Sequence, residues 1–213
     1  MKKPSTKPKG ATSYKETVFG TMSHAKLLTL ELEGTKKGLE LISDIVLKNP
    51  HIEISPQLIL DIHGKSFAWI FPDWAGKYRT IRVEFSGKEP VLPHQIPELM
   101  TNLCADLKVR LSHLQTKEEN YIEKVVELLS WFQHRLVWIH PFQDYNGRVA
   151  RMLTVLILLS LNLPPIEIKA NTGWDRKIYL KAMYSADEGD YSRLEKLISK
   201  ALNESLTHSS NNL

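Results

Sequence analysis

An all-α domain carrying one small β-hairpin is the fold class the sequence predicts, and three observations predict it. Apolar residues recur at helical spacing over most of the chain from Thr21 to Leu206. Only Tyr78 to Phe85 alternates at the period of a strand. One segment, Met152 to Leu161, is apolar nearly all round, as a helix at the centre of a bundle must be.

Taken in order, Thr21 to Leu47 reads as two helices, with Gly34 stopping the first. Ser55 as cap and Pro56 at the first helical position open the next, which runs to about Phe67. Trp69, Pro72 and Trp74 mark an irregular aromatic link. Ile81, Val83 and Phe85 alternate with Arg82 and Glu84 ahead of a Ser86-Gly87 turn, and Pro90 and Pro93 confine any return strand to an edge. Helices are then expected over Gln95 to His113, Lys117 to Ile139 and Gly147 to Leu161. Pro164 and Pro165 break the last of these, and Trp174 to Ser185 and Tyr191 to Leu206 complete the set.

At 213 residues the chain suits one domain with a substantial core. Its single cysteine, Cys104, excludes an internal disulfide framework; no signal-peptide pattern and no bilayer-length apolar run is present, so a cytoplasmic protein without a membrane partner is expected. The net charge is +4, yet residues 1–15 hold five lysines and no acid, which leaves −1 for the rest. The folded part therefore does not point to nucleic acid. Residues 1–20 read as a disordered basic tail, 21–206 as one domain, and 207–213 as a frayed end.

The chemistry collects in HPFQDYNGRVAR, His140 to Arg151. Asn146 can cap the helix that follows, Gly147 admits a ligand close to the backbone, and first-turn N–H groups point outward at the positive end of the helix dipole. Arg148 and Arg151, three apart, can both reach a polyphosphate, and Asp144 offers the hard oxygen that magnesium prefers. His140 stands at the entrance with the ordinary pKa of a general base. A capped helix start with surface arginines would explain Asn146 and Gly147 but not the other four. His134 reads as a buried packing or hydrogen-bonding residue, and Trp69, Trp74, Trp131, Trp138 and Trp174 as core or rim anchors.

HPFQDYNGRVAR resembles the signature of Fic-domain proteins, H-P-F-x-D/E-G-N-G-R-x-x-R. WAGKYRTIRV (Trp74 to Val83), HRLVWIHPF (His134 to Phe142), LPPI (Leu163 to Ile166) and SADEGDY (Ser185 to Tyr191) look like family segments in family order. The resemblance implies a Fic fold, a helical bundle with a β-hairpin flap, and transfer of AMP from ATP-Mg to a Tyr, Thr or Ser hydroxyl of a target protein and of the chain itself. By the same resemblance His140 is the base, and Asp144 holds magnesium. Tyr145, Asn146, Gly147 and Arg148 line the phosphates, and Arg151 takes the γ-phosphate. Val83, Glu84 and Phe85 form the flap that docks the target, and Tyr179 and Asp187 lie near the adenine. A homodimer stays open.

Tyr145 departs from the family pattern, which has glycine there. Where positive φ is required, a tyrosine costs on the order of 1 kcal/mol in backbone strain. Thr29-Leu-Glu-Leu-Glu33-Gly34 matches the family's inhibitory motif, S/T-x-x-x-E-G/N, on a helix expected over about 21–34. The resemblance implies that Glu33 pairs with Arg151 and keeps the γ-phosphate out. Two function classes stay open: the AMP-transferase, including a Fic enzyme that uses another nucleotide or removes AMP, and a non-catalytic module binding nucleotide or protein.

Overall fold

The computed structural model describes residues 14–85, 87–170 and 173–210. Its elements are a hairpin of β1 (Tyr14–Thr17) and β2 (Gly20–Ser23), then seven α-helices: α1 (His24–Lys48), α2 (Pro56–Phe67), α3 (Ile96–Ser112), α4 (Tyr121–Ile139), α5 (Asn146–Ser160), α6 (Gly173–Asp187) and α7 (Ser192–Ser210). The all-α class with a two-stranded antiparallel sheet is thus the observed one. No helix among the described residues is long and apolar enough to cross a membrane.

The core is built around α5, where Val149, Leu153, Leu156, Ile157 and Leu158 are fully buried. It packs against α4, which carries α3 and α7 on its other faces, and against α1, which also lies along α2. Ser55 caps α2 as its composition predicts, its hydroxyl accepting from Leu58 N at 3.2 Å, with Pro56 in the first turn. Asn162, at φ 56°, turns the chain out of α5 ahead of the two prolines.

Three sequence expectations are corrected. Gly34 does not end a helix: α1 runs through it unbroken. Leu27, Glu31, Gly34, Gly38 and Ile42 make the buried stripe of α1, and a Cβ on Gly34 would lie 2.3 Å from Ser66 O on α2. The glycines are there because two helix backbones approach closely, a cause that a single sequence cannot distinguish from a C-cap.

The strand expected over Tyr78 to Phe85 does not form; the only pairing among the described residues there is the bridge Phe85–Lys88, with reciprocal bonds of 3.0 and 2.9 Å. One of its carbonyls, Ile81 O, is taken instead by an arginine described below. The ladder lies in residues 14–23, where Tyr14 pairs with Ser23 and Thr17 with Gly20, inside what the composition marked as tail. Residues 1–13 and 211–213 fall outside the described residues, while α7 continues past Thr207 to Ser210.

Candidate active site

Two left-handed residues frame the loop between α4 and α5. His140 (φ 52°, ψ 58°) terminates α4, its N–H bonding Leu136 O at 3.0 Å, and Tyr145 (φ 64°, ψ 13°) sits at the N-cap of α5. Between them Phe142 is wholly buried and stacks on His63 at 3.8 Å. Asn146 does not cap α5. Its side chain reaches back across the loop, accepting from Phe142 N at 2.8 Å and donating to Phe142 O at 2.9 Å. His63 adds a third tie: Gly76 N donates to its Nδ1 at 2.8 Å, so Nε2 carries the proton and donates to Asp144 O at 3.2 Å. Burial drives the His63 pKa down to about 4, which keeps this tautomer neutral.

The His140 imidazole is also neutral and oriented. Nδ1 faces the carbonyl of Val137 at 3.1 Å, so it is the protonated nitrogen and Nε2 keeps its lone pair. Burial lowers its pKa to about 4 against the opposing pull of the Val137 carbonyl and Asp144. The Phe85 ring lies flat over the imidazole, 4.0 Å away and inclined by 8°. Val83 is buried at the root of this turn, and Glu84 is exposed. Of the residues expected to form a flap, Phe85 thus stands at the His140 imidazole, although the segment forms no strand.

Arg79 builds this junction, and sequence reasoning missed it. Only 4% exposed, it donates through Nε to His140 O (2.7 Å), through Nη1 to Ile81 O (3.0 Å) and through Nη2 to Val91 O (2.6 Å), while its own N–H bonds Pro141 O at 2.9 Å. One guanidinium therefore ties the backbone of His140 to both arms of the Phe85–Lys88 turn. The signal was present as the arginine of KYRTIRV, but nothing in an isolated arginine marks it as buried.

At the other end of the loop, Arg148 N and Val149 N both bond Tyr145 O at 3.0 Å, and the N–H groups of Asn146 and Gly147 have no acceptor within the helix. A Cβ on Gly147 would meet only Arg151 Nη1, at 3.4 Å, so the fold itself does not require glycine there. Arg148 Nη2 donates to Glu31 Oε2 at 2.7 Å, and its Nη1 is buried without a partner. Arg151 lies over Tyr179 at 5.9 Å and near Glu167; burial lowers its pKa. Both arginines line a 260 Å³ recess between α1, α5 and Ile166 to Ile168.

Asp144 accepts from Tyr145 N on Oδ1 (2.7 Å) and pairs with Lys15 on Oδ2. Burial opposes its charge, yet Lys15 and the Tyr145 N–H hold the carboxyl below the usual range. Among the described residues no cluster of three His, Cys, Asp or Glu exists. A divalent cation fits only as one shared between Asp144 and a ligand's own oxygens, which is how magnesium accompanies nucleotides.

Glu33 and Tyr179 are not where the resemblance would have them. Glu33 is exposed and pairs with Lys37 at 2.9 Å, and Thr29 is exposed as well. Two residues earlier, Glu31 falls on the buried stripe and reaches Arg148 and Tyr145 instead. The reason is rotational: close packing at Gly34 and Gly38 turns the Glu33 face of α1 to solvent. Tyr179 is 5% exposed and its hydroxyl accepts from Gln133 at 2.9 Å, so it braces Arg151 from inside the core rather than facing an adenine. Asp187 does line a 340 Å³ recess, together with Phe85, Lys88 and Trp138, and joins the flap turn to α6 through Lys88. His134 is the buried hydrogen-bonding residue expected, held by Asp187 at 3.2 Å and Tyr191 at 3.1 Å.

The description "Fic/DOC family" belongs to the family model that matches residues 53–158. The protein adenylyltransferase fic-1 of Caenorhabditis briggsae is 30% identical over 170 residues, which are 80% of this chain and 31% of that protein. This chain spans about a third of the length of the curated relatives it matches. Fic-1 of Caenorhabditis elegans (residues 134–508, E274G) superimposes with a TM-score of 0.68 at 25% identity, covering 86% of this chain and 51% of that one. BepC of Bartonella tribocorum, solved with bound AMPPNP, gives 0.64 at 19% identity, covering 91% and 94%.

Proposed function

Because the chain belongs to the Fic-domain family, we propose that it transfers AMP from ATP to a hydroxyl side chain of a target protein. The observation that carries this reading is the neutral His140 imidazole, anchored through Nδ1 at one end of a loop whose other end presents two helix N–H groups and two arginines. The relatives' name, protein adenylyltransferase, and the AMPPNP bound to BepC point the same way.

In the reaction, the target's hydroxyl oxygen bonds to the α-phosphorus and gives its proton to His140 Nε2. The bond from that phosphorus to the bridging oxygen breaks, and pyrophosphate leaves. Asn146 and Gly147 N–H groups and the Arg148 and Arg151 guanidiniums bind the phosphate oxygens, and their fixed positions favour charge building up on the leaving group. Asp144 would share a magnesium ion with the phosphates; that ion would supply countercharge. Phe85, over the imidazole, excludes water and leaves the flap edge for the target's backbone.

Restraint is part of the proposal. Glu31 satisfies the Arg148 donor that a phosphate would need, so nucleotide entry requires the pair to open. Incubation with ATP labelled in the α- or the γ-phosphate tests the reading: label passes to protein from the α position only, and more strongly in Glu31→Gln. Nucleotide binding without transfer in either protein would support the binding-module reading in its place.

A further inference from the structure

The hairpin ahead of α1 is fastened to the aromatic link that flanks the site. Val18 N donates to Ile70 O at 3.0 Å, and the Phe19 ring packs edge-on against Trp69 at 6.0 Å. This anchoring lays Lys15 of β1 over the catalytic loop. Its ammonium pairs with Asp144 Oδ2 and lies 4.9 Å from the Tyr145 ring and 6.0 Å from that of Phe71. Asp144 Oδ1 is held by the Tyr145 N–H, which is part of the backbone of the loop. A cation that takes the outer oxygen of Asp144 therefore competes with Lys15 for it.

Lys15 is placed to be displaced. Its side chain is 30% exposed and that of Asp144 35%, so the pair reaches solvent. Beside it lies a 560 Å³ cleft, lined by Lys15 to Val18, Ile70, Trp74, Gln143 and Asp144, with room for the released ammonium and for the waters a magnesium ion keeps.

We propose that Lys15 is a built-in occupant of the cation position, whose ammonium holds Asp144 until a divalent cation arriving with a polyphosphate nucleotide takes its place. The inference rests on the nucleotide reading above and adds to it a second restraint. Glu31 competes with phosphate for an arginine, whereas Lys15 competes with the metal for a carboxylate, so the two act on different halves of the same ligand.

The test compares ADP binding by calorimetry in EDTA and in saturating Mg²⁺, using the full chain in a Glu31→Gln background. Removing a partly exposed competitor of this kind is expected to strengthen the magnesium-dependent part of binding on the order of fivefold. The ratio of the two affinities should rise by that factor in Lys15→Met and stay at the parental value in Lys15→Arg, with binding in EDTA unchanged. An equal ratio in Lys15→Met and its parent overturns the proposal alone, as does a lower one, which would make Lys15 a phosphate ligand. Absence of ADP binding from every variant overturns the nucleotide reading and the proposal with it.

Discussion

Glu31 and Tyr145 share a 2.6 Å hydrogen bond in the interior of the protein, the phenol donating to Oε1 while Oε2 accepts from Arg148. The residue that departs from the family motif therefore holds the carboxylate that occupies its arginine. Burial and then the charge of Glu31 raise the Tyr145 pKa, so the phenol stays a donor at any working pH. Glu31 and Glu33 of α1 separate on this geometry. Glu31→Gln is expected to raise self-modification with labelled ATP roughly tenfold, the equivalent of about 1.4 kcal/mol, and Glu33→Gly to leave it within twofold. The reverse order would mean that α1 rotates when nucleotide binds.

Tyr145→Phe keeps the ring stacked on Phe67, 4.2 Å away, and removes only the hydroxyl. Buried Glu31 then loses one of two partners, and unfolding in urea should register a loss of about 1–2 kcal/mol. Tyr145→Gly relieves the positive φ, worth about 1 kcal/mol, but gives up aromatic burial worth about 3 kcal/mol or more. It should be the less stable of the two variants.

Gly34→Ala sets helix propensity against packing. Alanine is favoured by about 1 kcal/mol in an open helix, whereas here its Cβ would lie 2.3 Å from the Ser66 carbonyl, which is backbone and cannot swing aside. Overpacking at such a contact costs about 1–3 kcal/mol, and moving α1 would also strain the Glu31–Arg148 pair. A net loss of stability is expected; a higher melting temperature would show that the helices can part freely.

Arg79→Gln leaves the carbonyls of His140, Ile81 and Val91 with too few donors. A loss of about 3 kcal/mol is expected from the unsatisfied buried groups. Because the same guanidinium fixes His140, kcat for the proposed AMP transfer should fall further than any change in the KM for ATP.

Acid should destabilise the protein before its carboxylates titrate. His63, fully buried, has a folded-state pKa of about 4 against 6.5 unfolded, so the unfolded chain binds the extra proton between those values. Stability is complete above pH 6.5 and falls as pH drops toward 4, by about 3 kcal/mol for this residue. Melting temperatures across pH 4–8 check the trend, and His63→Asn, which keeps a polar side chain, should remove roughly half of it, because burial lowers His140 to about 4 in the same way.

Periodicity and composition were enough for the helices. α2, α4, α5 and α6 fall close to where the apolar spacing, Ser55-Pro56 and the two prolines put them, because those signals act within a few residues. The site loop was legible for the same reason: its histidine, aspartate, glycine and arginines are adjacent in the chain, and the structure only orients them. Tertiary contact alone decided the rest. It turned Gly34 from a stop into a contact, put the ladder at residues 14–23, gave the buried face of α1 to Glu31, and set Lys15 on Asp144, 129 positions away. Which face of a helix is buried, and which distant charge fills a site, depends on surfaces that the local pattern does not contain. The sequence by itself singled out HPFQDYNGRVAR as the candidate site, and packing determined which side chains of this chain now contact it.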